Sequence, residues 1–215
     1  MRIKKMNWTS FIISTDNITL VTDPVALKDS GLALSKTKTD IVLFTDPKLE
    51  QEEDILVSKG IDNKIVSDKR SNILELKSPG EFEIGGLMIR RDIGNTFFSI
   101  DESTLRVVYL GLADNDFNVD STKDLGDVDI LIAPIGNGDQ FIDYDKLEKI
   151  FSNIDPHTLI PCGFKESGLK LGSEMKTKDD FIKHFGFTNV REETSLNVKP
   201  SNKEPDEAPM EIVLL

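Results

Sequence analysis

The apolar residues of this chain come in short runs, each closed by a cluster of turn-forming residues, and that brevity most limits the folds open to it. Residues 10–13 and 18–22 are β-rich and flank Ser14-Thr15-Asp16-Asn17, the pattern of a hairpin. Residues 96–100 and 105–110 flank Asp101-Glu102-Ser103 in the same way. Between the two hairpins, residues 40–45 form an apolar strand-like run, and residues 49–59 set Leu49, Ile55 and Leu56 among acids, as in an exposed helix. The second half alternates similarly. Residues 128–133 predict a strand, 144–154 a helix with Leu147, Ile150, Phe151 and Ile154 on one face, and 158–161 a further strand. Residues 178–185 predict a helix ended by Gly186. Residues 199–209 are polar and Pro-rich, an expected exposed loop, and the nearly all-apolar 210–215 predict a buried final strand. The order implies one α/β (α+β) domain over residues 1–215, its sheets covered by helices.

A chain of this size can bury roughly 70% of its unfolded surface without covalent staples. The formal net charge of −12 repels a phosphate backbone or an anionic leaflet, so neither nucleic acid nor membrane is an expected partner. Cys162 is the one cysteine and cannot belong to a disulfide framework. Arg2, Lys4 and Lys5 open the chain, but Asn7, Thr9, Ser10 and Ser14 to Asp16 interrupt the apolar residues after them, so no signal peptide is expected. No apolar run approaches the ~18 residues that cross a bilayer, and the expected location is cytoplasmic.

Several segments resemble those of one known family. Met6-Asn7-Trp8-Thr9-Ser10-Phe11-Ile12-Ile13 matches the hydrophobic frame of an opening strand that carries Leu-Gly-His-Ser-Cys-Phe-Leu-Ile there, and Thr22-Asp23-Pro24 matches a Thr/Ile-Asp-Pro strand end. Ser78-Pro79-Gly80-Glu81-Phe82-Glu83-Ile84-Gly85-Gly86 is similar to a Pro-Gly-Glu-Tyr-Glu-x-Gly-Gly segment, the most specific match. The runs 126–136 and 160–165 fit as well. These segments resemble the metallo-β-lactamase superfamily, in particular small prokaryotic members similar to ascorbate-6-phosphate lactonase. The resemblance implies a four-layer αββα sandwich.

The resemblance also implies where zinc would be held, and those positions have changed. The signature Thr-His-x-His-x-Asp-His falls on Thr45-Asp46-Pro47-Lys48-Leu49-Glu50-Gln51, keeping only the threonine. Trp8 stands for the first-strand histidine, Leu112 for the bridging aspartate and Gly163 for the last histidine. Zinc needs imidazole, thiolate or carboxylate donors near 2.0–2.3 Å. An ammonium at Lys48 has no lone pair to give. Trp8, Asp46, Lys48, Glu50, Gln51, Leu112 and Gly163 are thus vestigial positions, and their joint loss implies a change of role.

His157, after Asp155-Pro156, reads as an exposed turn residue, and a Cys162–His157 dyad would span roughly 16 Å of extended strand. His184 suits a helix C-terminus. Asp23, Asp46, Glu50, Asp114 and Asp116 could converge on the vacated pocket, since the family's loops surround one cleft, and carboxylates alone suit Mg²⁺, Mn²⁺ or Ca²⁺. Solvated charges in an acidic protein are the simpler expectation. The glycines of 79–86 and 136–138 fit turn geometry better than an anion cradle. Two expectations emerge. The first is a zinc-free, non-catalytic pseudo-hydrolase with a binding or assembly role, open to homo-oligomerisation, its pocket plugged by Trp8 and Lys48 and its ligand unspecified. The second is a divergent hydrolase with an oxygen-ligand Mg²⁺ or Mn²⁺ site at Asp46, Glu50 and Asp114.

Overall fold

The computed structural model describes residues 1–68, 72–171, 174–199 and 209–215. Among them the chain runs β1 (Arg2–Asn7), β2 (Ser10–Ser14), β3 (Thr19–Thr22), α1 (Pro24–Asp29), β4 (Thr37–Lys38), β5 (Ile41–Leu43), α2 (Ile55–Ser58), β6 (Ile65–Val66) and β7 (Leu74–Leu76). Next comes a meander of β8 (Gly80–Ile84), β9 (Leu87–Arg91), β10 (Phe98–Glu102) and β11 (Leu105–Tyr109). The rest is β12 (Ile130–Pro134), α3 (Tyr144–Ile154), β13 (Thr158–Cys162), α4 (Lys178–Phe185), β14 (Val190–Glu192), β15 (Leu196–Asn197) and β16 (Glu211–Leu214).

Among the described residues the strands pair into a six-stranded sheet, β15-β1-β2-β3-β5-β7, an eight-stranded sheet, β14-β16-β13-β12-β11-β10-β9-β8, and the small pair β4-β6. Side-chain alternation assembles the layers. Ile41 and Leu43 of β5 point into a core shared with Ile130 and Ile132 of β12, Ile160 of β13 and Val213 of β16. Val42 and Phe44 point the other way, onto Val25 of α1 and Ile55 and Leu56 of α2. On the far side, Leu131 and Ala133 of β12 and Leu159 of β13 meet Leu147, Ile150 and Ile154 of α3 and Phe181 of α4. The result is helix, sheet, sheet, helix. Each fully buried aliphatic side chain contributes about 1.5–3 kcal/mol.

Helices α3 and α4 have the bounds that the periodicity predicts, because their caps are local. The Asp143 side chain accepts the Lys146 amide at 2.8 Å, and α3 stops at Asp155 with φ 46°. Thr177 and Asp180 form a reciprocal capping box, and Gly186 ends α4 with φ 68°. Of the expected helix over 49–59 only Ile55–Ser58 is α-helical. Residues 47–49 make one 3-10 turn and α2 starts only at Ile55, where the Glu75 carboxylate accepts the Ile55 and Leu56 amides at 2.7 and 2.9 Å. Asp54, with φ 46°, interrupts the helical backbone just before it. The opening strand is also divided: β1 and β2 are antiparallel and joined at Trp8-Thr9. In the second hairpin Asp101 and Glu102 belong to β10, and the reversal falls on Ser103-Thr104. Glu81 to Ile84 are strand, with Gly85-Gly86 as its turn. The strand β16 is buried as expected, whereas residues 200–208 of the expected loop lie outside the described residues.

Strands β3, β5 and β7 are parallel, as are β11, β12, β13 and β16. The C-terminal ends of β3, β5, β11 and β13 open at one end of the sandwich, where side chains from both sheets meet.

Candidate functional site

Asp23 lies at that end, 1% exposed and with φ 40°, between the last residue of β3 and the first of α1. Its carboxylate accepts the Thr45 amide at 2.8 Å, the Thr45 hydroxyl at 2.6 Å and the Tyr109 hydroxyl at 2.5 Å. Thr45 Oγ1 in turn accepts the Leu112 amide at 3.1 Å, and a Cβ at Gly111 would lie 2.1 Å from that oxygen, so only glycine fits there. No cation faces the carboxylate in this network. Burial therefore pushes the Asp23 pKa up to about 6, against the three hydrogen bonds, with nearby Asp46 raising it further. The network ties the ends of β3, β5 and β11 together, beside the positions that the resemblance matches to zinc ligands.

The structure separates those positions into two groups. Trp8, Leu112 and Gly163 are drawn together. Trp8 is 3% exposed and packs with Leu27, Phe141 and Met175, with Leu112 partly buried against the same cluster. The Trp8 and Phe141 rings lie 5.4 Å apart at 60°. The Gly163 amide donates to the Trp8 carbonyl at 3.3 Å. Gly163 has φ 59°, and a Cβ there would meet Phe141 at 2.9 Å and Pro134 at 3.0 Å, so a histidine would be strained in its backbone and crowded by both side chains.

Asp46, Lys48, Glu50 and Gln51 do not join this cluster. Lys48 and Gln51 are exposed, so Lys48 is no part of the plug expected of it. Proline at 47 opens a 3-10 turn that carries Lys48 outward, while the Asp46 carboxylate accepts the Lys48 amide at 2.9 Å. Glu50 pairs with Arg91, which is 3% exposed and also donates to the carbonyls of Asn95 and Lys77. Asp114 is exposed and accepts the Asp116 amide at 2.9 Å. The acids thus serve separate local purposes, and the described residues contain no group of three or more His, Cys, Asp or Glu able to hold a metal ion. The residues present do not fit the zinc that the resemblance implies. His157 is exposed at the start of β13, whereas Cys162 is buried at its end with its thiol pKa raised by burial. His184 is exposed in the last turn of α4.

Trp8 sits under opposing forces. It has φ 48° at the first position of a two-residue connection, where glycine is the usual occupant, which costs of order 1–3 kcal/mol. Its Nε1 is buried without a hydrogen-bond partner, a further cost of about 1–3 kcal/mol. Burying roughly 150–250 Å² of aromatic surface returns about 4–6 kcal/mol. The two sides nearly balance. Beside the plug lies a cleft of about 220 Å³ whose lining includes Thr45, Pro47, Asn95, Leu112, Asp114 and Phe117. Arg91, Phe141 and Met175 carry no sign of their roles in the sequence, since what distinguishes them is contact across the fold. Asp23 and Thr45 are the strand-end residues retained by the resemblance, but their joint hydrogen bonding appears only in three dimensions.

The family model for the beta-lactamase superfamily domain matches residues 2–163. No curated protein matches the sequence significantly. Among solved structures, a candidate Zn-dependent hydrolase of the metallo-beta-lactamase superfamily from Thermotoga maritima is 18% identical, with a TM-score of 0.73 over 100% of this chain and 98% of its own. Igni18, a metallo hydrolase from Ignicoccus hospitalis, is 15% identical, with a TM-score of 0.61 over 92% and 99%. A candidate metal-dependent hydrolase from Parabacteroides distasonis is 22% identical, with a TM-score of 0.54 over 86% and 89%.

Proposed function

The chain belongs to the beta-lactamase superfamily, and from that membership we propose that it is a metal-free, non-catalytic member, a cytoplasmic binding or assembly module. The observation that supports this reading is the apolar plug. Where the family resemblance calls for imidazole and carboxylate donors, Trp8 and Leu112 join Phe141, Leu27 and Met175, and Gly163 has no ligand side chain to offer. Zinc chemistry requires an open coordination position with donors around it. The hydrolase activity named for the Thermotoga and Ignicoccus proteins is therefore not carried over, because function resides in the site and not in the fold. The partner of such a module is a small molecule or a second copy of the chain. The net charge of −12 opposes nucleic acid and anionic membranes.

Elemental analysis by plasma mass spectrometry, on untagged protein purified without chelator, tests the proposal. Zinc, manganese, magnesium, calcium and iron should each be far below one per chain. A near-stoichiometric metal would overturn it.

A further inference from the structure

We propose that Trp8 is a displaceable plug over a binding pocket for a small, uncharged aromatic molecule of about the size of an indole ring. The inference rests on the metal-free reading and gives that site a ligand class. Its first ground is the shape of the space. The Trp8 indole fills it, the Phe141 ring lies tilted against it with centroids 5.4 Å apart, and Leu27 and Met175 form further walls. Leucine and methionine walls adapt to a flat guest, and the residues that pack with the indole, Leu27, Phe141 and Met175, carry no charge to meet one on a ligand.

The second ground is that the plug is poorly held. Trp8 adopts a left-handed backbone conformation that a tryptophan seldom takes, and its indole N–H is buried with no acceptor. The second penalty vanishes when the side chain swings outward, because the N–H then reaches water. A third ground is the cover. Leu32 and Leu169, packed against the cluster, belong to segments 31–36 and 164–171, which contain neither helix nor strand, so part of the wall around the indole is loop rather than sheet. Opening it breaks no strand ladder. A guest that fills the space vacated by the indole stabilises the open state and shifts the population toward it.

The chain has a single tryptophan, so protein labelled with 5-fluorotryptophan carries one ¹⁹F reporter, at the plug itself. Without ligand the resonance should be that of a buried indole. Titration with indole should raise a second, solvent-exposed resonance that saturates, while charged indole-3-acetate at the same concentrations leaves the spectrum unchanged. The substitution Trp8→Gly suits the positive φ and empties the pocket, and should bind indole at least tenfold more tightly than the parent by calorimetry. An unaltered single resonance throughout the indole titration overturns the proposal. So does indole binding by the glycine variant alone, because the plug then does not yield. Equal displacement by indole-3-acetate overturns the ligand class. If the variant does not fold, the titration of the labelled parent decides. Metal content is measured separately, so a metal found in the protein sinks the metal-free reading while the fluorine spectrum still reports on the plug.

Discussion

Arg91 and Glu50 illustrate how one residue's apparent purpose changes with its surroundings. In sequence Glu50 stands where the family signature has an aspartate; in space it neutralises a guanidinium that is 3% exposed. Removing one member of such a pair leaves a buried charge uncompensated. Glu50→Ala should lower stability by about 2–3 kcal/mol in urea unfolding, with Glu50→Gln costing less because it still accepts a hydrogen bond. A change below about 0.5 kcal/mol would show the pair to be incidental. Asp23 makes a prediction about pH. Its pKa is raised from the ordinary 3.8 to about 6, so the folded state holds this proton more tightly than the unfolded chain does. The resulting stability is fully present below about pH 3.8 and is lost as pH rises through about 6, a difference of about 3 kcal/mol. Asparagine can imitate the neutral acid, accepting the Thr45 amide while donating to the hydroxyls. The stability of the parent relative to Asp23→Asn should therefore fall by about 2.5 kcal/mol between about pH 4 and about pH 7.5, measured as paired urea titrations. A parallel pair of curves would refute the shift.

Among the elements, those with local instructions were legible in the sequence. The helix α4 is bounded by a capping box at Thr177 and a left-handed Gly186, both set by residues within the segment. Thr177→Ala should cost about 1 kcal/mol, read from the thermal or urea midpoint, and Thr177→Ser should recover most of it. Parallel strands such as β12, buried on both faces, show as unbroken apolar runs. By contrast, the backbone over 49–59 departs from the expected helix because it depends on distant partners: the α2 amides are taken by Glu75, twenty and nineteen residues away. Short edge strands such as β14 and β15 have too few residues to establish a period, so their pairing partners alone define them.

At the scale of the whole molecule, the net charge of −12 acts against compaction. Raising the sodium chloride concentration from about 10 to 150 mM shortens the screening length from roughly 30 to 8 Å. The urea midpoint at about pH 7.5 should rise over that range, by on the order of 1 kcal/mol in stability; a fall would mean that ion pairs such as Arg91–Glu50 outweigh the general repulsion. The sequence by itself determined the layered α/β class, the family resemblance, the two long capped helices and the loss of the zinc donors, because each is written in local pattern or residue chemistry. Only the tertiary structure decided what replaced the donors. Trp8, Phe141 and Met175 lie far apart along the chain and meet through packing, and so do Asp23, Thr45 and Tyr109, joined by hydrogen bonds between the two sheets. Contacts of that kind arise from how the layers close on one another, and no local periodicity encodes them.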